Sequence, residues 1–351
     1  IWGNKHQDVT EMRATFMTLA IGVLGALLAR AVHLPLPDLT VPALAVSAAG
    51  LAGLQLGFDD RVRNIAFLVL GMTVGAGMTA EAAQLLVQLP LAFVAMAVST
   101  IIGLGLCWWT LMRLFGFDLQ SGLLAASPGH LSFVLSIGAQ YDLDLPRITI
   151  VQSIRLLALT LITPLVALGL GITPPTTLVG TGVVMSIWTV LSLAALGYGA
   201  SLILHRIKTP APLLIGAMLV SMLGHGSGLT PGQMPLWLAI PAFVILGTLI
   251  GTRFGGVSLS ALKAAAMAGM VSTLIATATA CIIAALTAAM IDLPLEALLI
   301  AFAPGGLETM VAMSIALGLA PGFVAACHLA RLLVLSVLVP VLFARTRRGS
   351  R

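Results

Sequence analysis

The chain has 351 residues, of which 59% are hydrophobic and only 8% charged, with a formal net charge of +5. Soluble domains carry about 25% charged residues, so this composition cannot make a water-facing surface and most of the outer face must meet lipid. Cys107, Cys281 and Cys327 lie apart in apolar stretches, giving no CxxC pair and no disulfide framework, and the basic residues sit at segment ends rather than in a patch that would grip nucleic acid.

A helix needs about 20 apolar residues to cross a bilayer core. After a polar leader, 1–13, apolar segments are predicted at 14–33, 39–57, 62–80, 86–115, 119–140 and 146–171, making a first membrane unit over 14–171. The first of them follows Arg13, is about as long as a bilayer is thick and has no small-residue cleavage site after it, so it reads as a membrane helix rather than a signal peptide. An uncharged linker, 172–177, leads to a second unit, 178–345, with segments at 178–205, 210–228, 234–253, 258–290, 295–317 and 321–345. A basic tail, 346–351, closes the chain.

The two units repeat one another in a register of 176 residues. Gly71 and Gly75 fall on Gly247 and Gly251, Pro128-Gly129 on Pro304-Gly305, Arg155-Leu156-Leu157 on Arg331-Leu332-Leu333, and Pro164 on Pro340. The paired GxxxG spacings are small-residue motifs for close helix packing.

The fifth segment of each unit is interrupted. Proline and glycine in its middle break a helix, leaving pieces of about 8–11 residues, each spanning roughly half a bilayer at 1.5 Å per residue. Such a segment either crosses as a broken helix or turns back as a re-entrant hairpin. The excess of Lys and Arg expected in cytoplasmic loops favours the hairpin. With the basic tail inside, Asp59-Asp60-Arg61-Val62-Arg63, Arg113, Arg147, His205–Lys208, Arg253 and Lys263 then all become cytoplasmic, with both termini, leaving Arg30 outside. The expected fold is therefore an all-α integral membrane protein of two inverted repeats, with ten crossings and two hairpins rather than twelve crossings. Positions 142 and 318 should then lie on opposite sides of the membrane.

Charge at mid-membrane costs about 2.5–3.5 kcal/mol or more per residue, so Arg155 and Arg331, some ten residues into equivalent segments, need partners. Gln152 and His328 precede them by one helical turn on the same face. Each arginine either caps backbone carbonyls of the hairpin, pairs with an acid, or offers its guanidinium fork to an anionic substrate. The tips Pro128-Gly129-His130 and Pro304-Gly305-Gly306 can bring two helix N-termini together, which favours a carboxylate or an ion. Glu308, which stands where the first repeat has Ser132, is a local cap, a salt-bridge partner of an arginine, or a carboxylate coupling transport to protons or sodium. His130 is a proton relay or simply a hydrogen-bonded residue. No histidine has HxxH or HExxH spacing, and there is no P-loop and no GxSxG. No catalytic residue, metal or cofactor is therefore expected.

The stretches SPGHLSFVLSIGAQYDLDLPRITIVQSIRLLALTLITPLV and APGGLETMVAMSIALGLAPGFVAACHLARLLVLSVLVPVL resemble the bacterial AbrB-type membrane family, whose members carry such a unit twice. The likeness covers nearly the whole chain. The first repeat departs from the pattern at His130 and Ser132. The resemblance implies a multi-pass protein of the bacterial inner membrane. Two labels used in that family, regulator of gene expression and ammonia monooxygenase, find no DNA-binding module and no copper-type ligand cluster here. The expected function is a secondary transporter or exporter of a small organic anion, moving by an elevator-like or rocking motion, with a homodimer as the expected assembly. A membrane regulator acting through a partner protein is the alternative, and a membrane monooxygenase subunit the third reading.

Overall fold

A computed structural model of the chain describes residues 2–77, 90–129, 131–141, 143–172, 183–207, 209, 211–291 and 293–349. His130, Asp142, Lys208 and nearly all of the linker 172–177 lie outside these residues, and for Ser132 only the backbone is described. The described residues are helical, apart from loops and one isolated bridge between Val184 and Gln233. The helices are α1 (Trp2–Ala31), α2 (Thr40–Leu51), α3 (Asp60–Ala76), α4 (Pro90–Phe115), α5 (Leu119–Ala126), α6 (Leu131–Gln140), α7 (Leu145–Gly169), α8 (Ile187–Arg206), α9 (Pro212–Gly226), α10 (Leu236–Thr252), α11 (Leu259–Ala288), α12 (Leu295–Phe302), α13 (Leu307–Leu317) and α14 (Pro321–Gly349).

Among the described residues six stretches, Met12–Ala31, Pro90–Phe115, Leu145–Gly169, Ile187–Arg206, Leu259–Ala288 and Pro321–Thr346, are long and apolar enough to cross a membrane. α1 runs unbroken from Trp2, since no proline or glycine lies between Gly3 and Gly22. One feature differs from the spacing read in the sequence. The segments at 39–57 and 210–228 hold helices of only 12 and 15 residues. Pro35 and Pro37 delay the start of α2, and Gly53, at φ +93°, follows its end.

The packing divides the chain into two units. The first comprises Ile1–Leu85, Thr160–Gly256 and Val311–Gly322. Its centre is two pairs of helices in near backbone contact. A Cβ on Gly71 of α3 would overlap the Leu214 carbonyl of α9 and lie 2.8 Å from the Ala217 Cβ, and one on Gly75 would lie 2.5 Å from the Met218 oxygen. A Cβ on Gly247 of α10 would overlap the Leu39 carbonyl, and one on Gly251 would lie 2.8 Å from the Ala43 oxygen. Only glycine permits so close an approach of two helices. The contacts are reciprocal. The glycines are 176 residues apart, whereas Leu39 and Leu214, Pro42 and Ala217, and Ala43 and Met218 are 175 apart. Ser221 adds a hydrogen bond across α3 and α9, donating to the Met72 carbonyl at 2.8 Å.

The second unit comprises Leu86–Leu159, Val257–Met310 and Phe323–Arg351. Here α4 and α11 run antiparallel: Cys107 Sγ donates to the Ser272 carbonyl at 3.3 Å, while Gly103 faces Thr279. Asp118 starts α5 by accepting from the amides of Gln120 and Ser121 at 3.0 and 2.8 Å. The chain then breaks over Ser127–Gly129, with Gly129 at φ +83°, and α6 doubles back. A Cβ on Gly138 would lie 3.8 Å from the Leu124 side chain, although a continuous helix would hold these residues about 21 Å apart. The start of α7 meets the end of α4, where Arg147 donates to the Phe115 carbonyl and its guanidinium stacks 3.8 Å over the Phe117 ring. Both ends of the α5–α6 segment therefore lie at one end of α4.

The second broken segment behaves alike. Phe323, at the start of α14, packs on Phe93 at the start of α4, with ring centroids 6.4 Å apart. Since α11 opposes α4, it also finishes at that end, and α12–α13 leaves and returns there. Phe343, near the far end of α14, meets Tyr141 at 5.1 Å, so α14 runs opposite to α7.

Candidate functional site

The two helix breaks meet inside the second unit. A Cβ built on Gly129 would lie 3.5 Å from the Gly305 carbonyl oxygen and 3.5 Å from Leu332. Proline and positive-φ glycine make the first break locally. What holds the breaks in place is a set of long polar side chains from α7 and α14.

Arg155 is buried and donates to the carbonyls of Ala126 and Ser127 at 3.4 and 3.0 Å. Gln152, one turn before it, donates to the Leu124 carbonyl at 2.9 Å. Arg331 is buried likewise and donates to the carbonyls of Ala303 at 2.7 Å and Ala301 at 3.2 Å. These carbonyls end α5 and α12, where the helix leaves acceptors without partners and a partial negative charge. The guanidinium answers both needs at once. Arg331 also reaches His328 Nε2 at 3.2 Å. A guanidinium can only donate, so Nε2 accepts, and the proton of this neutral imidazole lies on Nδ1, 2.9 Å from the Val324 carbonyl.

A cavity of about 20 Å³ lies where the breaks meet. Its walls are Ala126 and Pro128 from the first break, Phe302 and Pro304 from the second, Ser99, Thr100, Gly103 and Leu104 of α4, Ala276 and Ala280 of α11, and Arg331 of α14. Four pairs among them, Thr100 with Ala276, Leu104 with Ala280, Ala126 with Phe302 and Pro128 with Pro304, are each 176 residues apart.

The structure thus brings Pro128, Pro304 and Arg331 to one cavity, and puts Arg155, Gln152 and His328 in the polar shell that fixes the breaks. Gly305 is packed by Met310, whose side chain would lie 2.6 Å from an added Cβ, and a Cβ on Gly306 would lie 3.3 Å from Leu156. Glu308 is half-buried in the first turn of α13, its Oε2 near Gly306. It forms no ion pair with either arginine; the ion pairs among the described residues are Arg30–Asp38 and Arg63–Asp60, both at 2.8 Å. His130 and the side chain of Ser132 are outside the described residues. Sequence reasoning missed Ser99 and Thr100. Their signal is two adjacent hydroxyls in the middle of a long apolar helix, both buried.

These features define an all-helical protein with membrane-length apolar helices and two broken helices meeting at a charged cavity. The chain belongs to the AbrB family: the family model described as "Transition state regulatory protein AbrB" matches residues 39–347. A relative from Bacillus subtilis (strain 168), "Uncharacterized protein YhjN", is 24% identical over 303 residues, which cover 82% of this chain and 79% of the relative.

Proposed function

We propose that this protein is a secondary transporter or exporter of a small organic anion, working in the bacterial inner membrane as a homodimer. The observation that carries this reading is the cavity bounded by both helix breaks and a buried arginine, all from one packed unit. Broken helices that meet in the membrane are a recurring way for transporters to hold solute and ions. A site lined from a single unit is also what an elevator-like carrier needs, because its solute travels with the body that binds it. Glu308, half-buried and without an ion-pair partner among the described residues, is the carboxylate proposed to couple transport to protons or sodium.

We read the topology as ten crossings and two re-entrant hairpins in inverted repeats, with both termini cytoplasmic. The opposed course of α4 against α11 and of α7 against α14 supports it, as do the fold-back of α6 on α5 and the reciprocal glycine contacts of α3 and α10. In a cysteine-free background, Gln140→Cys and Ala320→Cys, both at exposed positions, should label from opposite sides of the membrane with an impermeant maleimide. Labelling of both from the cytoplasmic side would contradict inversion.

The transport reading is tested by reconstituting the full chain in proteoliposomes and measuring uptake of radiolabelled small carboxylates. Uptake above protein-free vesicles, driven by an imposed proton or sodium gradient, is expected. The family description favours a second reading, a membrane regulator acting through a partner protein. Absence of flux for every anion, together with a stoichiometric co-purifying protein, would select it.

A further inference from the structure

In the first unit, His225 stands half-buried in the last turn of α9. Its Nδ1 lies 2.7 Å from the Ser221 carbonyl of its own helix, and its Nε2 lies 3.0 Å from the Gly232 carbonyl, in the loop that follows α9. Both ring nitrogens thus face carbonyl oxygens, which can only accept. The hydroxyls of Ser221 and Thr230 also stand 3.3 Å from Nδ1. Ser221 gives its proton to the Met72 carbonyl at 2.8 Å, so it presents another acceptor. A neutral imidazole carries one N–H and cannot serve both carbonyls, whereas an imidazolium carries two and does. His328 is held differently, with a carbonyl on one side and the Arg331 guanidinium on the other, the setting of a neutral ring.

The loop is pinned on its far side. Met185 N donates to the Gln233 carbonyl at 2.9 Å, and Gln233 N donates to the Val183 carbonyl at 2.8 Å. Gly232 lies against this bridge at φ +116°, where an added Cβ would come within 2.9 Å of Met185 N, so glycine is required there. The elements packed on α9 are α3 and α8. Their charged groups are Asp60, Arg61 and Arg63 of α3, and His205 and Arg206 of α8. All of these lie at the other end of α9, whose 15 residues span about 22 Å. This follows because α3 runs parallel to α9, with Gly71 beside Leu214 and Gly75 beside Met218, and because α8 ends a short loop before α9 begins. The loop and the segment at 183–185 carry no charge, and Glu81 lies outside the described residues. An imidazolium at His225 is therefore met by oxygen acceptors at a helix C-terminus, where the partial negative charge suits a cation.

We infer that His225 is a pH-sensitive clasp on the loop after α9. As the imidazolium it donates to Ser221 and Gly232 together and ties the loop to the helix. As pH rises, Nδ1 keeps its proton on the nearer carbonyl and Nε2 loses its own. A nitrogen lone pair then faces the Gly232 oxygen, and the loop is released. The sign follows from linkage: the folded arrangement holds the protonated ring, so the tie is present at acid pH and lost as pH rises. Imidazole is the side chain that changes charge near neutral pH. In the topology proposed above α9 starts on the cytoplasmic side, so the clasp responds to pH outside; its chemistry does not depend on that placement.

The test uses the full chain in detergent, with a nitroxide on Leu229→Cys, an exposed loop position, and the three native cysteines replaced. Between about pH 5.5 and about pH 8.5, a range that spans imidazole titration, the ratio of mobile to immobile label should rise roughly tenfold, the scale of one hydrogen bond from a charged donor. His225→Gln, which has no titrating ring, should leave the loop mobile at both pH values. His225→Arg, always charged, should show no pH response either. A label equally mobile at both pH values in the protein with His225 would overturn the clasp. A pH response that survives in either variant would overturn it too, and one folded variant is enough to decide.

Discussion

Arg331→Ala should abolish anion uptake and lower the stability of the purified protein by on the order of 3 kcal/mol, the scale of orphaning several buried acceptors. The variant leaves the carbonyls of Ala301 and Ala303 and Nε2 of His328 without their donor, each at a cost of roughly 1–3 kcal/mol when buried. The same deletion removes the cation that, among the described residues, lines the cavity. Arg331→Lys separates the two roles. Lysine keeps the charge but is a point donor rather than a planar fork, so it should recover part of the stability and little of the uptake. Arg155→Ala supplies the complementary comparison: its guanidinium holds the first break and does not line the cavity, so it should cost stability with a smaller change in solute affinity. Thermal unfolding in detergent and proteoliposome flux read the two quantities. Unchanged flux in Arg331→Ala would sink the assignment of the site.

Gly71→Val is expected to destabilise the first unit by about 1–3 kcal/mol or more, as overpacking does. The new Cβ would overlap the Leu214 carbonyl and crowd Ala217, and the clash is with backbone, which cannot rotate away. Gly247→Val should behave the same way through the Leu39 carbonyl and Pro42. Gly105→Val is the control. It is also a helical glycine, but nothing lies within 4 Å of its added Cβ, and valine there should be nearly neutral. Equal melting temperatures for the Gly71 and Gly105 variants would refute the close-packing account of the GxxxG spacing.

These comparisons show which parts of the molecule were legible in its residues. The breaks at Pro128-Gly129 and Pro304-Gly305-Gly306 could be read directly, because a missing amide hydrogen and a missing Cβ act on the backbone where they stand. The membrane-length helices could be read as well, since a long apolar run has few alternatives to a helix. The buried arginines were visible as residues that need partners, yet their partners were not. Carbonyl caps, an acid and a ligand all satisfy a guanidinium, and only the packing of α7 on α5 and of α14 on α12 selects the hairpin carbonyls. Ser99 and Thr100 were passed over because a hydroxyl in an apolar helix can bond its own backbone, as Thr100 does with Met96. That they line a cavity depends on where α11 and the two breaks lie.

The sequence by itself determined the helical class and the places where the two interrupted segments break, since each depends on local backbone chemistry or on composition. The tertiary structure decided that α6 turns back along α5, of the two courses the sequence left open, and that Arg331 lines the cavity while Arg155 does not. A break leaves the direction of the chain beyond it open, and that direction is set by contacts between residues far apart in sequence, such as Arg147 with Phe115 and Phe323 with Phe93.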